Sequence, residues 1–233
     1  LGAPKEGWTV KRKHAIFDMD GVLVDSQPLH FKIDGEVLKA AGASAGMEDV
    51  IKRAGMANAD RWASYIQEFD ITQSIAELVE RHTETVMRLF RESQLKRMDG
   101  VPELLSALKR NGSRIAVASS SSLALVDLVL ERLDIGQHFD VRVSGEDCGK
   151  GKPAPDVFLK AAQKIGADPG ECVVIEDSAN GVLAGKAAGM LVIGLRNPNS
   201  GEQDLSPADL IVDSLEQLAD DLGWMNGELA LNK

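Results

Sequence analysis

The chain has 233 residues, and its 26 basic and 36 acidic side chains give a formal net charge of −10. Hydrophobic residues make up 44% and charged residues 27%, a composition that excludes collagen, coiled coils and disordered chains and indicates one or two globular domains. The acidic balance argues against a nucleic-acid partner, because such proteins usually carry a basic stripe, yet it permits a small phosphorylated substrate in a locally positive cleft.

Targeting and redox signals are weak in this sequence. Cys148 and Cys172 are its two cysteines, too few for a secreted disulfide framework, and we expect both to be reduced. The most apolar stretch, residues 187–195, falls far short of the ~20 residues of a membrane span. Residues 1–13 are interpreted as an N-terminal arm without an apolar signal region. We expect a cytoplasmic protein without a membrane partner, and we expect a monomer.

Short apolar runs alternate with helical patterns from His14 onward. Helices are predicted at Glu103–Arg110, Ser122–Leu133 and Pro155–Ile165, and each ends shortly before a glycine, the usual C-terminal signal. Almost wholly apolar strands between helices indicate a doubly wound, Rossmann-like α/β fold whose parallel sheet is covered on both faces. The predicted strands are residues 15–17, 114–118, 141–143, 172–175, 191–193 and 210–212.

One segment, residues 27–95, holds only helical patterns. Pro28 suits the first turn of a helix that ends at Gly42, and apolar residues spaced three and four apart mark one face of a longer helix from Ile75 to Phe90. We predict a small α-helical cap domain here, inserted into an α/β core of residues 14–26 and 96–222, with residues 223–233 as a frayed tail. A cleft between two domains is a common substrate site.

Two acidic residues follow the first predicted strand. Asp18 and Asp20 are two positions apart, so both can face the same side of an extended backbone, and Gly21 then permits a sharp turn. Ligands of open α/β sheets bind outside the carboxyl ends of the strands. Two carboxylates at that edge repel each other unless a divalent cation or a shared proton intervenes. A solvated Asp-Gly turn is the alternative interpretation.

Polar residues also follow later strands. Ser119 and Ser120 come at the end of the second strand, where their hydroxyls suit a phosphate oxygen or, alternatively, cap a helix. Lys152 precedes a predicted helix, where it either reaches the same phosphate or is solvated. Glu176 and Asp177 follow the fourth strand, and their oxygens suit Mg²⁺ or simply favour a helix N-terminus.

Taken together, these motifs resemble the haloacid dehalogenase (HAD) superfamily of phosphotransferases. Residues 18–30, DMDGVLVDSQPLH, look closely like the opening of its β-phosphoglucomutase-like subgroup. Residues 151–156, GKPAPD, and residues 176–182, EDSANGV, are similar to its later motifs. The resemblance extends from residue 14 to about residue 218, and it is closer in the core motifs than in the cap.

The resemblance implies covalent chemistry on the first motif. Asp18 would attack phosphorus and become a transient aspartyl phosphate. Asp20 would protonate the leaving oxygen and then activate the incoming water or hydroxyl, which is the task of a general acid that next serves as a base. An aspartate at position 20 also favours phosphate esters over the carbon–halogen bonds and phosphonates that other members cleave.

The later motifs would supply positive charge around the phosphoryl oxygens, which is what phosphoryl transfer chiefly requires. The resemblance implies phosphate contacts from Ser119, Ser120 and Lys152. It also implies one Mg²⁺ per active site, held by Asp18, the carbonyl of Asp20, Glu176 and Asp177.

The cap is expected to select the substrate. His30 matches a histidine near the start of the cap and is a candidate substrate contact, with a surface histidine as the alternative. The mutase has a Lys-Gly pair in its cap, whereas this chain has Lys52-Arg53-Ala54-Gly55, so Arg53 is the candidate phosphate contact. Trp62 and Tyr65 either line a sugar pocket or pack within the cap.

Three functions are compatible with these residues. The first is a Mg²⁺-dependent phosphatase for a small sugar or polyol phosphate, which the absent Lys-Gly pair favours. The second is a β-phosphoglucomutase-type isomerase that uses the same aspartyl phosphate. The third is a non-catalytic binding protein of the same fold. Nucleotides and phosphoglycolate are further possible substrates of the first function.

Overall fold

The structure, a computed structural model, describes residues 12–51, 53, 58–220 and 222–226. Its sheet has six parallel strands in the order β3-β2-β1-β4-β5-β6. The strands are β1 (His14–Phe17), β2 (Ile115–Ser119), β3 (Val141–Ser144), β4 (Cys172–Glu176), β5 (Leu191–Leu195) and β6 (Leu210–Val212). The six apolar runs of the sequence form these strands, so the predicted doubly wound α/β fold is confirmed.

Helices surround the sheet and fill the long connection after β1. They are α1 (Gln27–Ala40), α2 (Met47–Ile51), α3 (Asn58–Phe69), α4 (Ile75–Glu92), α5 (Val101–Arg110), α6 (Leu123–Arg132), α7 (Asp156–Ile165), α8 (Ala179–Ala187) and α9 (Glu216–Asp220). Short 3-10 turns occupy several of the remaining loops.

Both faces of the sheet are buried. Ala15 and Phe17 of β1 pack into one apolar cluster with α5 and α6, whereas Ile16 packs into a second cluster with α7 and α8. Successive strand residues point to opposite faces, so a strand covered on both sides must be apolar throughout. This explains why the strands lack the alternation of a half-exposed sheet.

The chain reverses its direction of travel across the sheet beside β1. β1 pairs with β2 on one side and with β4 on the other. The first half of the fold therefore extends from β1 toward β3, and the second half extends from β4 toward β6. In doubly wound sheets, ligands bind at such a reversal, outside the carboxyl ends of the two central strands.

The segment from α1 to α4 has an apolar cluster of its own, to which Trp62 and Tyr65 contribute as fully buried rings. Their ring centroids are 5.4 Å apart, so the structure shows the second of the two alternatives for these aromatic rings, packing within the segment. The two chain connections of the segment run side by side, because Val24 bridges Arg97 in antiparallel fashion. The domain boundaries at residues 26 and 96 stay a prediction.

Residues 223–226 do not form a frayed end. Trp224 and Met225 are buried in the apolar cluster beneath α5, and the backbone N–H of Arg12 donates to the Met225 carbonyl at 2.7 Å. The expectation of fraying is wrong for these residues, while residues 1–11 and 227–233 lie outside the described part of the chain. Cys148 and Cys172 are free thiols, as predicted.

Within the described residues, no helix is long and apolar enough to cross a bilayer.

Candidate active site

The candidate site lies at the carboxyl edge of the sheet, between β1 and β4. Asp18 directly follows β1, and its backbone N–H donates to the carbonyl of Ile175 at 3.0 Å. This bond continues the pairing of β1 with β4 one residue beyond the strand. It fixes Asp18 beside the end of β4 with only 6% of its surface exposed. A buried carboxylate therefore lies at the chain reversal, where this class of sheet binds ligands.

One ammonium group links the acids of the two central strands. Lys152 Nζ donates to Asp18 Oδ1 at 2.5 Å and to Glu176 Oε1 at 2.7 Å. Burial alone would lower the pKa of Lys152, but the charges of Asp18 and Glu176 raise it above its ordinary value, so the side chain stays protonated. The lysine thus offsets part of the cost of burying two carboxylates.

Glu176 and Asp177 are each fixed by a neighbouring serine. The backbone N–H and the hydroxyl of Ser178 donate to Glu176 Oε2 at 2.7 and 2.9 Å. The hydroxyl of Ser200 donates a short hydrogen bond to Asp177 Oδ2. Because both carboxylates are hydrogen-bonded as well as buried, their orientations are set before any ligand arrives.

Two glycines leave room for these acids. A Cβ atom at Gly181, in α8, would lie 1.6 Å from Glu176 Oε1, and one at Gly21 would lie 2.0 Å from Asp177 Oδ2. Gly21 also has a φ of 77°, a left-handed conformation that favours glycine. The glycines of the first and last motifs are therefore required by the close approach of the carboxylates.

Asp20 is held by three hydroxyl or ring groups. Ser26 Oγ donates to its Oδ1 at 2.7 Å, His30 Nε2 lies 3.2 Å from the same oxygen, and Ser121 Oγ donates to Oδ2 at 3.2 Å. Burial opposes ionisation of Asp20, but the hydrogen bonds from His30 and Ser26 and the charge of His30 outweigh it and hold its pKa below the usual value. The structure thus places His30 at the second aspartate.

Sequence reasoning did not single out Ser26 or Ser121. Ser26 belongs to the opening motif and is the N-cap residue of α1. Ser121 belongs to the serine run after β2 and directly precedes Ser122, the N-cap residue of α6. A serine at a helix start is the signal that the sequence offers for both.

Ser119 and Ser120 lie at the end of β2, as predicted. Ser119 is buried, and its Oγ accepts the backbone N–H of Ser121 at 3.1 Å. Since that bond uses an acceptor lone pair, the Ser119 hydroxyl can still donate its proton to a ligand. Ser120 is exposed toward the same cavity.

These residues line a cavity of about 260 Å³, a size for a small ligand. A larger open depression of about 620 Å³ beside Arg97 contains none of the four acids, so volume alone does not identify the site. The cavity walls also include polar residues that sequence reasoning missed, namely Gln27, Asn180, Ser200 and Gln203. Ser200 and Gln203 belong to the loop after β5, where the sequence shows no recognisable motif.

The cavity concentrates negative charge. Burial, followed by the charge of Glu176, raises the pKa of Asp177 to about 7. Burial also raises the pKa of Asp18 well above its usual value, with Glu176 and Asp177 adding to the effect and Lys152 opposing it. Repulsion of this kind is relieved by a bound divalent cation.

The oxygen atoms of the site suit a Mg²⁺ ion that is bound by only a few protein ligands. Among the described residues, no three His, Cys, Asp or Glu side chains form a cluster that could hold a metal by themselves. Mg²⁺ commonly binds through one or two carboxylates and retains several waters. Asp18 and Asp177, together with a backbone carbonyl, meet that requirement, while Glu176 is already engaged by Lys152 and Ser178.

The structure does not bring Arg53 to this site. Its guanidinium donates to Ser64 Oγ at 2.9 Å and to the Asp49 carbonyl at 2.9 Å, and it pairs with Glu68. The side chain is buried among residues of α2 and α3. The donors of Arg53 serve the helical segment itself, and its contact with phosphate stays a prediction. Residues 52, 54 and 55 of the same stretch lie outside the described residues.

Comparison with known proteins agrees with this fold and identifies the family. A family model described as haloacid dehalogenase-like hydrolase matches residues 12–189, and the chain belongs to this family. Hexitol phosphatase B of Escherichia coli strain K12 is 34% identical over 210 residues, covering 88% of this chain and 93% of that protein. The phosphorylated carbohydrates phosphatase of Thermotoga maritima is 35% identical over 176 residues, covering 75% and 81%.

Similarity to a solved structure indicates the subgroup within the family. A Thermotoga maritima structure assigned as a β-phosphoglucomutase has a TM-score of 0.74 at 31% identity, covering 91% of this chain and 99% of that one. The chain is thus a member of the β-phosphoglucomutase-like subgroup of the HAD-like hydrolases.

The glycine at position 181 provides a test of the packed carboxylates. Gly181 and Gly35 both lie in helices, where replacement of glycine by alanine ordinarily stabilises by about 1 kcal/mol. No atom lies within 4 Å of a Cβ at Gly35, so Gly35→Ala is expected to raise the free energy of unfolding. Gly181→Ala is expected to lower it, because the methyl group displaces Glu176. Chemical denaturation measures both, and equal gains in the two variants would contradict the packing described.

The crowded acids predict an inverse relation between stability and pH in metal-free protein. A folded-state pKa of about 7 for Asp177, against an ordinary 3.8, means that folding favours its protonated form. That stability is present at low pH and is lost as pH rises toward 7. In EDTA at pH 8, Asp177→Asn is therefore expected to raise the free energy of unfolding, on the order of 2 kcal/mol. Asp99→Asn, at an exposed site, is the control, and a loss of stability in Asp177→Asn would contradict the account.

Proposed function

We propose that the protein is a Mg²⁺-dependent phosphohydrolase that cleaves a small sugar or polyol phosphate through an aspartyl phosphate on Asp18. The observation that carries this proposal is the bridge from Lys152 to both Asp18 and Glu176, in a cavity that also contains Asp20. This arrangement combines a nucleophile, a fixed cation and an acid at one strand edge.

In the first half-reaction, a carboxylate oxygen of Asp18 attacks phosphorus while the ester bond to the leaving oxygen breaks. Lys152 favours the ionised form of Asp18, which is the nucleophilic form. It also reduces the repulsion between this carboxylate and the anionic phosphate. Hydroxyl protons of Ser119 and Ser120 hold the phosphoryl oxygens, with Lys152 as the charged contact.

Asp20 handles the proton in both half-reactions. Asp20 protonates the leaving oxygen as the ester bond breaks, and His30 Nε2, 3.2 Å from Asp20 Oδ1, orients its carboxyl group. In the second half-reaction, Asp20 accepts a proton from the water that attacks the aspartyl phosphate, and the carboxylate of Asp18 is regenerated.

Hydrolases of this superfamily generally use Mg²⁺. We propose one ion per active site, which Asp18, Asp177 and the carbonyl of Asp20 would hold, with Glu176 as an outer partner. When bound, Mg²⁺ supplies positive charge at the phosphoryl oxygens. The helical segment of residues 27–95 is proposed as the cap over this cavity. A cytoplasmic location and a monomeric state stay predictions.

The substrate class rests on the relatives. Hexitol phosphatase B and the phosphorylated carbohydrates phosphatase support a sugar or polyol phosphate as the substrate. The structure assigned as a β-phosphoglucomutase favours a second candidate, in which a hydroxyl of a hexose phosphate replaces water as the acceptor. The two functions share every core residue and differ in whether the cap admits water.

A panel of phosphorylated metabolites tests the proposal. With Mg²⁺, the protein is expected to release inorganic phosphate from sugar or polyol phosphates, and EDTA is expected to abolish release. Asp18→Asn is expected to lower kcat at least ~1,000-fold, as loss of a nucleophile does. Lys152→Ala is expected to lower it ~100-fold or more, because it removes a charge that stabilises the transition state.

Lys150 provides the matched control for Lys152. It lies two residues away and is exposed, so Lys150→Ala is expected to keep full activity. Interconversion of hexose phosphates without net phosphate release would select the mutase. Binding of Mg²⁺ without turnover of any phosphate would select the non-catalytic alternative. Activity that survives both Asp18→Asn and EDTA would overturn the proposed mechanism.

A further inference from the structure

The loop between β5 and β6 contacts several separate parts of the candidate site. Its residues 197–203, which we call the brace loop, contain a 3-10 turn at Pro198–Ser200. Asn197 begins the turn, and its side-chain oxygen accepts the N–H of Asn199 at 2.9 Å. Asn197 is 7% exposed and Ser200 is 9% exposed. Polar side chains this buried are costly unless hydrogen-bonded, so their partners indicate what the loop does.

One side of the brace loop holds Asp177. Ser200 Oγ donates to Asp177 Oδ2. Gln203 in turn fixes Ser200, because its Nε2 donates to the Ser200 carbonyl at 3.0 Å. The Oε1 atom of Gln203 accepts the N–H of Ala179 at 3.0 Å, at the start of α8. Asp177 is therefore linked to the start of α8 through Ser200 and Gln203 of the loop.

The other side of the brace loop holds the chain that leads from Asp20 into the helical segment. Asn197 Nδ2 donates to the Gly21 carbonyl at 3.2 Å, one residue after Asp20. Asn199 Nδ2 lies 3.0 and 3.1 Å from the two carboxylate oxygens of Asp25.

Asp25 lies where the two connections of the helical segment run together. Its backbone N–H donates to the Lys96 carbonyl at 2.9 Å, on the returning connection. The next residue along the chain, Ser26, donates to Asp20. The contact with Asn199 therefore falls on the base of the helical segment, next to a hydrogen-bond donor of Asp20.

We propose that the brace loop is a positioning element that orients Asp177 for the metal and couples that acid to the base of the helical segment. This inference rests on the proposed function, since it assumes that Asp177 binds Mg²⁺. Asn197, Asn199 and Ser200 lie on one short turn, so the turn cannot shift at Asp177 without shifting at Gly21 and Asp25. Ser200 and Asn199 are thus positioning residues for the two ends of the site.

Mg²⁺ affinity in the absence of substrate tests the first half of this proposal. Ser200→Ala removes the hydrogen bond to Asp177, and loss of such an outer partner typically lowers metal affinity 10–100-fold. We therefore expect isothermal titration of the folded variant to show at least ~10-fold weaker Mg²⁺ binding. Ser200→Thr keeps the hydroxyl and is expected to restore affinity. Ser206→Ala, at an exposed serine outside the brace loop, is the control.

The outcomes separate this proposal from the function on which it rests. Failure of the wild-type protein to bind Mg²⁺ would overturn the proposed function. Wild-type affinity in Ser200→Ala, alongside normal binding by the wild-type protein, would overturn the brace loop alone. Gln203→Ala, at a half-buried residue, covers the case in which Ser200→Ala does not fold, and it is expected to weaken Mg²⁺ binding in the same direction.

Hydrogen exchange tests the coupling. Mg²⁺ is expected to slow amide exchange at residues 24–26 in the wild-type protein, because it orders Asp177 and, through the brace loop, Asp25. Asn199→Ala is expected to remove most of this slowing while it leaves Mg²⁺ affinity within about threefold of wild type. Equal slowing in both proteins, or no slowing in the wild-type protein, would contradict the coupling.

Discussion

The organisation of the site depends on one interaction, the bridge from the Lys152 ammonium to Asp18 and Glu176. The two carboxylates come from neighbouring strands and the lysine from the loop before α7, so the bridge joins three distant parts of the chain. Burial favours the protonated form of Asp18, which is a poor nucleophile, and the charge of Lys152 opposes that effect. The single positive charge of Lys152 does not balance the acids of the cavity, because Asp177 and Asp20 line it as well. A protein that keeps such repulsion trades stability for function.

The two aspartates of the first motif, Asp18 and Asp20, are held by residues from different parts of the fold. Asp18 is held by the sheet and by Lys152, all within the α/β part of the fold. Asp20 is held partly by Ser26 and His30, which belong to the start of the helical segment. Movement of that segment would therefore alter the surroundings of Asp20 more than those of Asp18. Under the proposed mechanism, the nucleophile would stay fixed while the surroundings of the general acid change.

Much of the fold and of the core site could be predicted from the sequence, because both follow from patterns of residues that are close together in the chain. Apolar runs between helical periodicities identify the buried parallel strands, and acids placed at strand ends converge once the strand order is known. The hydrogen-bond partners of Arg53 could not be predicted, because they lie on α2 and α3 and depend on how those helices pack. The brace loop could not be predicted either, because Ser200 reaches Asp177 only through tertiary folding.

The stereochemical course at phosphorus tests the covalent role of Asp18 most directly. The substrate would be a phosphorothioate ester made chiral at phosphorus with one heavy oxygen isotope, and the product thiophosphate would be analysed after hydrolysis in water that carries a second heavy oxygen isotope. Attack by Asp18 followed by attack of water consists of two in-line displacements, each of which inverts the configuration. Overall retention of configuration is therefore expected. Overall inversion would show that water attacks the substrate directly, and it would contradict the assignment of Asp18 as the nucleophile.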